Sequence, residues 1–166
     1  MSNHVHIVGI PREPNSMART IQVMHTRHSQ AVNREQGWQG HLWHSRYFAT
    51  ALDGPHMWLA MSYVEQNPVR AGIVSRAEDY VWSSAAVHCG LRDDPLVSHD
   101  KQMLPMFDDW QKTLSEIPDD EALMLLRRRT RTGIPCGDEK FIGKISKMTG
   151  RIYVERRQGR QPKPHV

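Results

Sequence analysis

The sequence predicts an α+β protein, and three observations lead to that class. Segments with β-forming residues occupy residues 4–10, 41–52 and 73–74, while the pattern from about residue 99 onward is purely helical. The chain of 166 residues is the size of one ordinary domain. Hydrophobic residues make up 39% of it and charged residues 24%, which is enough for a core and excludes wholesale disorder.

The three β-forming segments are predicted as strands. Residues 4–10 are rich in β-forming residues and stop at Pro11, which cannot donate to a ladder. Residues 41–52 are rich in aromatic residues. Gly72 precedes a short apolar pair at residues 73–74, which is predicted as a last short strand.

Two helices are predicted among these strands. The first covers about 15–34, where apolar side chains recur at spacings of three and four residues. The second covers about 56–67, after the turn-forming residues 53–55, in which a proline is placed for a helix start. It is expected to end before Pro68, because proline disfavours the α conformation in the residue that precedes it.

Two further helices are predicted in the C-terminal part. The segment of about 119–131 begins with acidic residues and ends with basic ones, which matches the helix dipole. Residues 132–135 interrupt it, and a helix of about 138–149 follows and ends near Gly150. The pair predicts either a helix-turn-helix-like DNA-binding unit or a helical hairpin packed on the core.

The charge is distributed unevenly along the chain. The net charge is +4, but residues 1–126 carry a balance of −5 and residues 127–166 a balance of +9. A basic end on a slightly acidic body indicates binding to a polyanion.

Membrane insertion and a disulfide framework are both excluded by composition. No apolar run approaches the ~18 residues of a membrane span, and no secretory hydrophobic region follows Met1. The two cysteines, Cys89 and Cys136, are typical of reduced thiols, so we expect a cytoplasmic protein with no membrane partner.

His4 and His6 are the first candidates for chemistry. One residue separates them in a predicted strand, so both imidazoles are expected on the same face. Two adjacent imidazoles suit a divalent cation. The alternative is a pair of surface histidines with no ligand.

Tyr63 is the second candidate. It lies four residues before Asn67, so the two side chains share a helix face. A tyrosine hydroxyl can act as a covalent nucleophile when its surroundings stabilise the transition state. The alternative is a half-buried tyrosine on an amphipathic helix.

Together these two segments resemble a known family. A strand with His-hydrophobic-His, followed by a helix with Tyr63-Val-Glu-Gln-Asn-Pro-Val-Arg-Ala-Gly72, is similar to the single-tyrosine HuH transposases, and specifically to the REP-associated tyrosine transposases of bacteria. Residues 40–48, the Trp-Ser-Ser run at 82–84 and residues 132–141 extend the resemblance from residue 2 to roughly 160.

The resemblance implies a ferredoxin-like core with an antiparallel sheet. Residues 1–98 would form the catalytic core, residues 99–150 a helical DNA-binding part, and residues 151–166 a basic flexible tail. In the family a strand and a long helix precede the HuH strand. We therefore expect this core to be truncated at its N-terminus.

The resemblance also implies a reaction. Members of the family are metal-dependent nickases and strand transferases that act on single-stranded DNA, often folded into hairpins. His4 and His6 match the pair that holds Mg²⁺ or Mn²⁺, and Tyr63 matches the nucleophile that forms a 5′-phosphotyrosine. Asn67 falls where relatives place a third polar metal ligand. A homodimer is a further expectation.

DNA contacts are expected from basic and aromatic side chains. Trp38, Trp43, Tyr47 and Phe48 can stack on bases, although Trp43 and Phe48 can equally pack in the core. The predicted phosphate-binding residues are Arg46, Arg70, Arg127, Arg128, Arg129, Arg131, Lys144, Lys147, Arg151, Arg156 and Arg157, with Arg160 and Lys163 of the tail.

Two other functions are compatible with the sequence. One is a non-catalytic DNA-binding remnant of such a transposase, which keeps the basic helical end. The other is a metal-dependent phosphoesterase that uses His4 and His6 without a covalent step.

Overall fold

Helices carry the fold in the computed structural model, which describes residues 4–97, 109–116 and 119–154. In chain order they are α1 (Ser16–Gln36), α2 (Gly54–Arg70), α3 (Ala85–His88), α4 (Trp110–Ser115), α5 (Asp120–Thr132) and α6 (Glu139–Thr149), with a 3₁₀ turn at Ala77–Asp79 between α2 and α3. Within the described ranges, none of these helices combines the length and the apolar content required to cross a membrane.

The predicted ferredoxin-like core with an antiparallel sheet is wrong, because the residues that the structure describes contain no strand. Residues 4–10 and 41–51 have no regular secondary structure, and neither have Ile73 and Val74. Leu52 forms an isolated parallel bridge with Cys136. A β-forming sequence makes a strand only where a second segment satisfies its backbone N–H and C=O groups. No segment in the described part of the chain pairs with residues 4–10.

The helix predictions are confirmed with one change of boundary. Helices α1, α5 and α6 lie where the sequence predicted them. Helix α2 begins after Asp53, whose carboxylate accepts a hydrogen bond from the His56 backbone N–H at 3.0 Å. Its predicted end before Pro68 is wrong, since the helix continues to Arg70. A proline in the last turn removes a single intrahelical bond, and the helix tolerates that loss.

The described residues divide into two compact units, of which one comprises Ile7–Phe48. In that unit α1 has no buried residue. The Trp43 ring stacks on His25 at 3.9 Å, and its Nε1–H donates to the His25 carbonyl at 3.3 Å. Trp43 therefore packs against α1, which agrees with the alternative that it packs inside the protein. Phe48 is 65% exposed, so it does not pack in the core.

The other unit comprises Met1–His6 and Ala49–Val166, and a buried carboxylate lies inside it. Glu65 of α2 is 1% exposed. One of its oxygens accepts a hydrogen bond from the Ser84 hydroxyl and lies 2.7 Å from His88 Nδ1. Its other oxygen accepts from Trp110 Nε1 at 2.7 Å. Both oxygens are thus satisfied, so the carboxylate links α2 to α3 and α4.

Gln66, the next residue of α2, makes a second link to α4. Its side-chain amide donates to the carbonyls of Leu114 at 3.0 Å and Glu116 at 2.8 Å. The last carbonyls of a helix have no partner within the helix, so this amide caps the C-terminal end of α4. Glu65 therefore attaches α3 and the start of α4 to α2, and Gln66 attaches the end of α4 to α2.

Helix α5 packs on α2 and buries Leu123 and Leu126, which are 2% and 4% exposed. Backbone bonds then tie the segment after α5 to the start of α2. The Cys136 N–H donates to the Ala51 carbonyl at 2.8 Å, and the Asp53 N–H donates to the Cys136 carbonyl at 2.9 Å. The position of α5 on α2 is therefore held at two places, by apolar burial and by this bridge.

Both cysteines are free thiols, as the sequence predicted. Burial, with the negative charges of Glu78 and Glu65, raises the pKa of Cys89 to about 11. Burial also raises the pKa of Cys136. Because the thiolate is the reactive form, neither cysteine is suited to nucleophilic chemistry near neutral pH.

We predict that Glu65→Gln lowers the free energy of unfolding by about 2 kcal/mol. The amide keeps one acceptor oxygen, so it cannot serve Trp110 and His88 together, and its own N–H₂ group faces buried donors. Urea unfolding at constant pH measures the change. The control is Glu121→Gln at an exposed position, expected within about 0.5 kcal/mol of wild type. Equal midpoints for the two variants would show that the carboxylate is not needed.

We also predict opposite effects for two glycine substitutions near α6. A Cβ at Gly137 would lie 2.3 Å from the Phe141 ring and 3.0 Å from the Asp53 carboxylate, so Gly137→Ala is expected to destabilise by about 1–3 kcal/mol. A Cβ at Gly143, inside α6, meets nothing within 4 Å. Gly143→Ala is therefore expected to stabilise by up to about 1 kcal/mol. Thermal unfolding of the pair tests this, and a stable Gly137→Ala would contradict the close packing.

Candidate active site

One face of α2 carries the candidate nucleophile. Tyr63, Asn67 and Arg70 stand at positions i, i+4 and i+7, which lie along the same side of a helix. Tyr63 and Asn67 are half-buried and Arg70 is exposed. Glu65 lies between Tyr63 and Asn67 in sequence and points to the other side, into the buried cluster. The burial of Glu65 therefore turns Tyr63 and Asn67 toward the more open side of the helix.

The two predicted metal-binding histidines belong to the same compact unit as Tyr63. The ring centroids of His4 and His6 are 5.0 Å apart, with the planes at 83°. The His6 centroid lies 6.0 Å from that of Tyr63, at 68°. The strand that was expected to align the histidines is not formed, yet the structure brings the two rings together and places that of His6 next to the tyrosine.

The protonation state of His6 suits a metal ligand. Desolvation, followed by the positive charge of His4, lowers the pKa of His6 below its ordinary value. At pH 7 its ring is therefore largely neutral, and a neutral imidazole has the lone pair that a cation needs.

Asn67 offers a third polar group on the same side of the helix. Its side-chain Nδ2 atom is buried and has no hydrogen-bond partner in the described structure. The same side chain carries an amide oxygen, which is a ligand type that hard cations accept. The described residues contain no group of three or more His, Cys, Asp or Glu that could hold a metal. A site here would use two imidazoles and an amide, which leaves coordination positions for substrate.

Two guanidinium groups lie against the Tyr63 ring. Arg127 Nε–H donates a hydrogen bond to the Tyr63 hydroxyl oxygen at 3.1 Å, and its Cζ lies 5.1 Å from the ring centroid. The Arg70 Cζ lies 5.3 Å from the same centroid. The sequence suggested both arginines only as general phosphate contacts. Their convergence on the tyrosine was not anticipated, because Arg127 is 64 residues away in the chain.

The helical phase of α5 explains the position of Arg127. It follows buried Leu126 directly and lies four residues after buried Leu123, which places it at the border of the packed face. An amphipathic analysis of α5 that asked which arginines border the apolar stripe would have selected Arg127 and Arg129.

The other predicted phosphate-binding residues have different surroundings. Arg129 Nη1 donates to the Pro135 carbonyl at 2.9 Å, so its guanidinium braces the turn after α5. Arg46 is exposed and belongs to the other unit. Those that are exposed in the tyrosine-bearing unit are Arg128, Arg131, Lys144, Lys147 and Arg151. Those that lie outside the described residues are Arg156, Arg157, Arg160 and Lys163. Whether any of them contacts DNA stays a prediction.

The sequence analysis missed Glu65 and its partners. Ser84 was noted only as part of a Trp-Ser-Ser run, and His88 and Trp110 were not noted at all. The sequence does contain one signal, which is an acidic residue at position 65 on an otherwise buried helix face. Because an acidic residue is rarely buried without a partner, this pattern predicts a hydrogen-bonded cluster.

Comparison with known protein families gives a match, which covers the segment that carries these side chains. No curated protein and no solved structure matches the chain. The family described as transposase, IS200-like, matches residues 1–67, the segment that contains His4, His6, Tyr63 and Asn67. That match supports a transposase relationship for the part of the chain that supplies these four side chains.

Proposed function

We propose that this protein is a single-tyrosine HuH transposase of the REP-associated type, which cleaves single-stranded or hairpin DNA and transfers the cut strand. The observation that carries the proposal is the contact of the His6 ring with the Tyr63 ring at 6.0 Å. These residues come from distant parts of the chain, and they are the types that a metal-assisted tyrosine nucleophile requires.

The proposed step exchanges one phosphate ester for another. The Tyr63 hydroxyl oxygen forms a bond to phosphorus, while the bond from phosphorus to the 3′ oxygen breaks and its electron pair leaves with that oxygen. The phenolic proton is released to solvent, and the 3′ oxygen takes up a proton. The products are a 5′-phosphotyrosine and a free 3′-hydroxyl, so the reverse attack rejoins DNA without an added energy source.

His4, His6 and Asn67 would hold Mg²⁺ or Mn²⁺. A bound ion of this kind supplies polarisation of the scissile phosphate and stabilises the charge on the departing oxygen. The protein's own contribution is to orient the two imidazoles, which lie side by side at 5.0 Å, next to the nucleophile.

The basic C-terminal end would hold the DNA strand. Residues 127–166 carry a balance of +9, and the exposed positions on α5 and α6 include Arg131, Lys144 and Lys147. Binding through such groups depends on phosphate charge and weakens as salt rises.

We predict that Tyr63→Phe abolishes a covalent protein–DNA adduct. A labelled hairpin oligonucleotide with Mn²⁺ is incubated with the protein and resolved on a denaturing gel. The control is Tyr80→Phe, which removes a hydroxyl from a half-buried tyrosine elsewhere in the same unit and should leave the adduct intact.

Other results of this experiment would support the alternatives. Salt-sensitive binding with no adduct at any Mn²⁺ concentration would identify a DNA-binding remnant. Cleavage that survives Tyr63→Phe would identify a phosphoesterase that acts without a covalent step.

We predict that His4→Ala and His6→Ala each weaken Mn²⁺ binding at least about tenfold, because each removes a proposed ligand. Calorimetric titration with Mn²⁺ measures the affinity, and His44→Ala, an exposed histidine of the other unit, is the control. The lowered pKa of His6 keeps its ring neutral at pH 7, so affinity should hold from pH 8 to pH 7 and fall only when the pH drops below the ordinary imidazole pKa of about 6.5. Equal affinity in all variants would exclude this ligand set.

A further inference from the structure

We propose that Arg127, contributed by α5, is a catalytic residue of the tyrosine site, where its guanidinium holds the nucleophilic oxygen and one oxygen of the scissile phosphate together. This inference rests on the proposed function and deepens it. It makes α5 part of the active site rather than a separate DNA-binding element.

The hydrogen bond is the first argument. Arg127 Nε–H donates to the Tyr63 hydroxyl oxygen at 3.1 Å, so the guanidinium touches the atom that attacks phosphorus. A guanidinium carries five N–H donors in one plane. Two of them can donate in parallel to two oxygens of one phosphate. One N–H of the guanidinium donates to the attacking oxygen, and its other N–H groups can donate to a bound phosphate. Because the guanidinium is rigid, it holds the oxygen and the phosphate side by side.

Uncompensated charge is the second argument. The Arg127 and Arg70 Cζ atoms lie 5.1 and 5.3 Å from the Tyr63 ring centroid. The ion pairs formed by described residues involve His56, Arg76, His88 and Arg92, and neither of the two arginines at Tyr63. Two cations beside one phenol, with no ion pair to a carboxylate of the described residues, form a site that attracts an anion.

The placement of Arg127 is built into the fold, which is the third argument. Leu123 and Leu126 bury the adjoining face of α5, and α5 packs on the helix that carries Tyr63. The Arg127 side chain is therefore attached to a rigid part of the backbone. A group that acts on a reacting atom requires such support.

The chemical consequence follows the exchange described above. As the oxygen–phosphorus bond forms and the bond to the 3′ oxygen breaks, Arg127 stays beside both the phenolic oxygen and the phosphate oxygens. Donors that are already in place stabilise the charge of the transition state without reorganisation. In the reverse step the 3′-hydroxyl attacks the same phosphorus, so the same guanidinium assists rejoining.

The test compares Arg127→Gln and Arg127→Lys with wild type. We expect Arg127→Gln to lower the single-turnover rate of adduct formation at saturating hairpin DNA about 100-fold. Its Kd for the same DNA, measured in a Tyr63→Phe background, should rise only a few-fold. Arg127→Lys keeps the charge without the planar fork and should recover part of the rate. Lys112→Gln, which removes one exposed positive charge from α4 in the same unit, is the matched control and should change neither quantity by more than about twofold.

A weaker Kd with an unchanged saturating rate would overturn the proposal, since Arg127 would then be an ordinary phosphate contact. A rate loss that is equal in Arg127→Gln and Lys112→Gln would overturn it as well, because net charge alone would explain the loss.

A second measurement separates this inference from the proposed function. Protein with ring-labelled tyrosine is titrated with inorganic phosphate at constant pH and ionic strength, and the Tyr63 resonance is assigned with Tyr63→Phe. We expect phosphate to shift this resonance in wild type and not in Arg127→Gln. A wild-type protein that shows the shift but forms no adduct would refute the transposase proposal and leave the anion site standing. An adduct that forms without any such shift, and at the same rate in Arg127→Gln, would refute only the role of Arg127.

Discussion

The buried carboxylate of Glu65 is the interaction on which the tyrosine-bearing unit depends. A carboxylate that is 1% exposed loses its hydration, and only good hydrogen bonds offset that loss. Here the Ser84 hydroxyl, the His88 ring and the Trp110 indole surround it. Because these groups come from different elements, satisfying one charge attaches α3 and α4 to α2. The same requirement fixes the rotation of α2 about its own axis.

That rotation decides what the other side of the helix can do. With Glu65 turned into the polar cluster, Tyr63 and Asn67 lie on the opposite side of α2, where the His6 ring is centred 6.0 Å from the tyrosine ring. Apolar burial of Leu123 and Leu126 on α5 then places Arg127 against the Tyr63 hydroxyl. The candidate site is therefore a consequence of two packing events on α2, one polar and one apolar. Neither event involves a residue of the site itself.

The sequence predicts those features that depend on neighbouring residues. Helices α5 and α6 follow from acids at the start, glycine at the end and apolar spacing, and all of these signals are local. A strand requires a partner elsewhere in the chain, so the β-forming residues 4–10 gave a wrong prediction. The side-chain pairs escape prediction for the same reason. The bonds of Glu65 to His88 and Trp110 span 23 and 45 residues, and the bond of Arg127 to Tyr63 spans 64.

The basic side chains of the C-terminal end differ in what they contact. Within α5, Arg127 is hydrogen-bonded to the Tyr63 hydroxyl and Arg129 to the Pro135 carbonyl. An arginine that donates to a protein oxygen has fewer donors left for DNA, so a count of positive charges overstates the phosphate-binding surface. Counterion release on binding would come from the exposed basic side chains of the C-terminal end, whereas Arg127 would also act on the single phosphate at the point of cleavage. One short helix would thus serve the reaction on the side facing α2 and non-specific DNA binding on the side facing solvent.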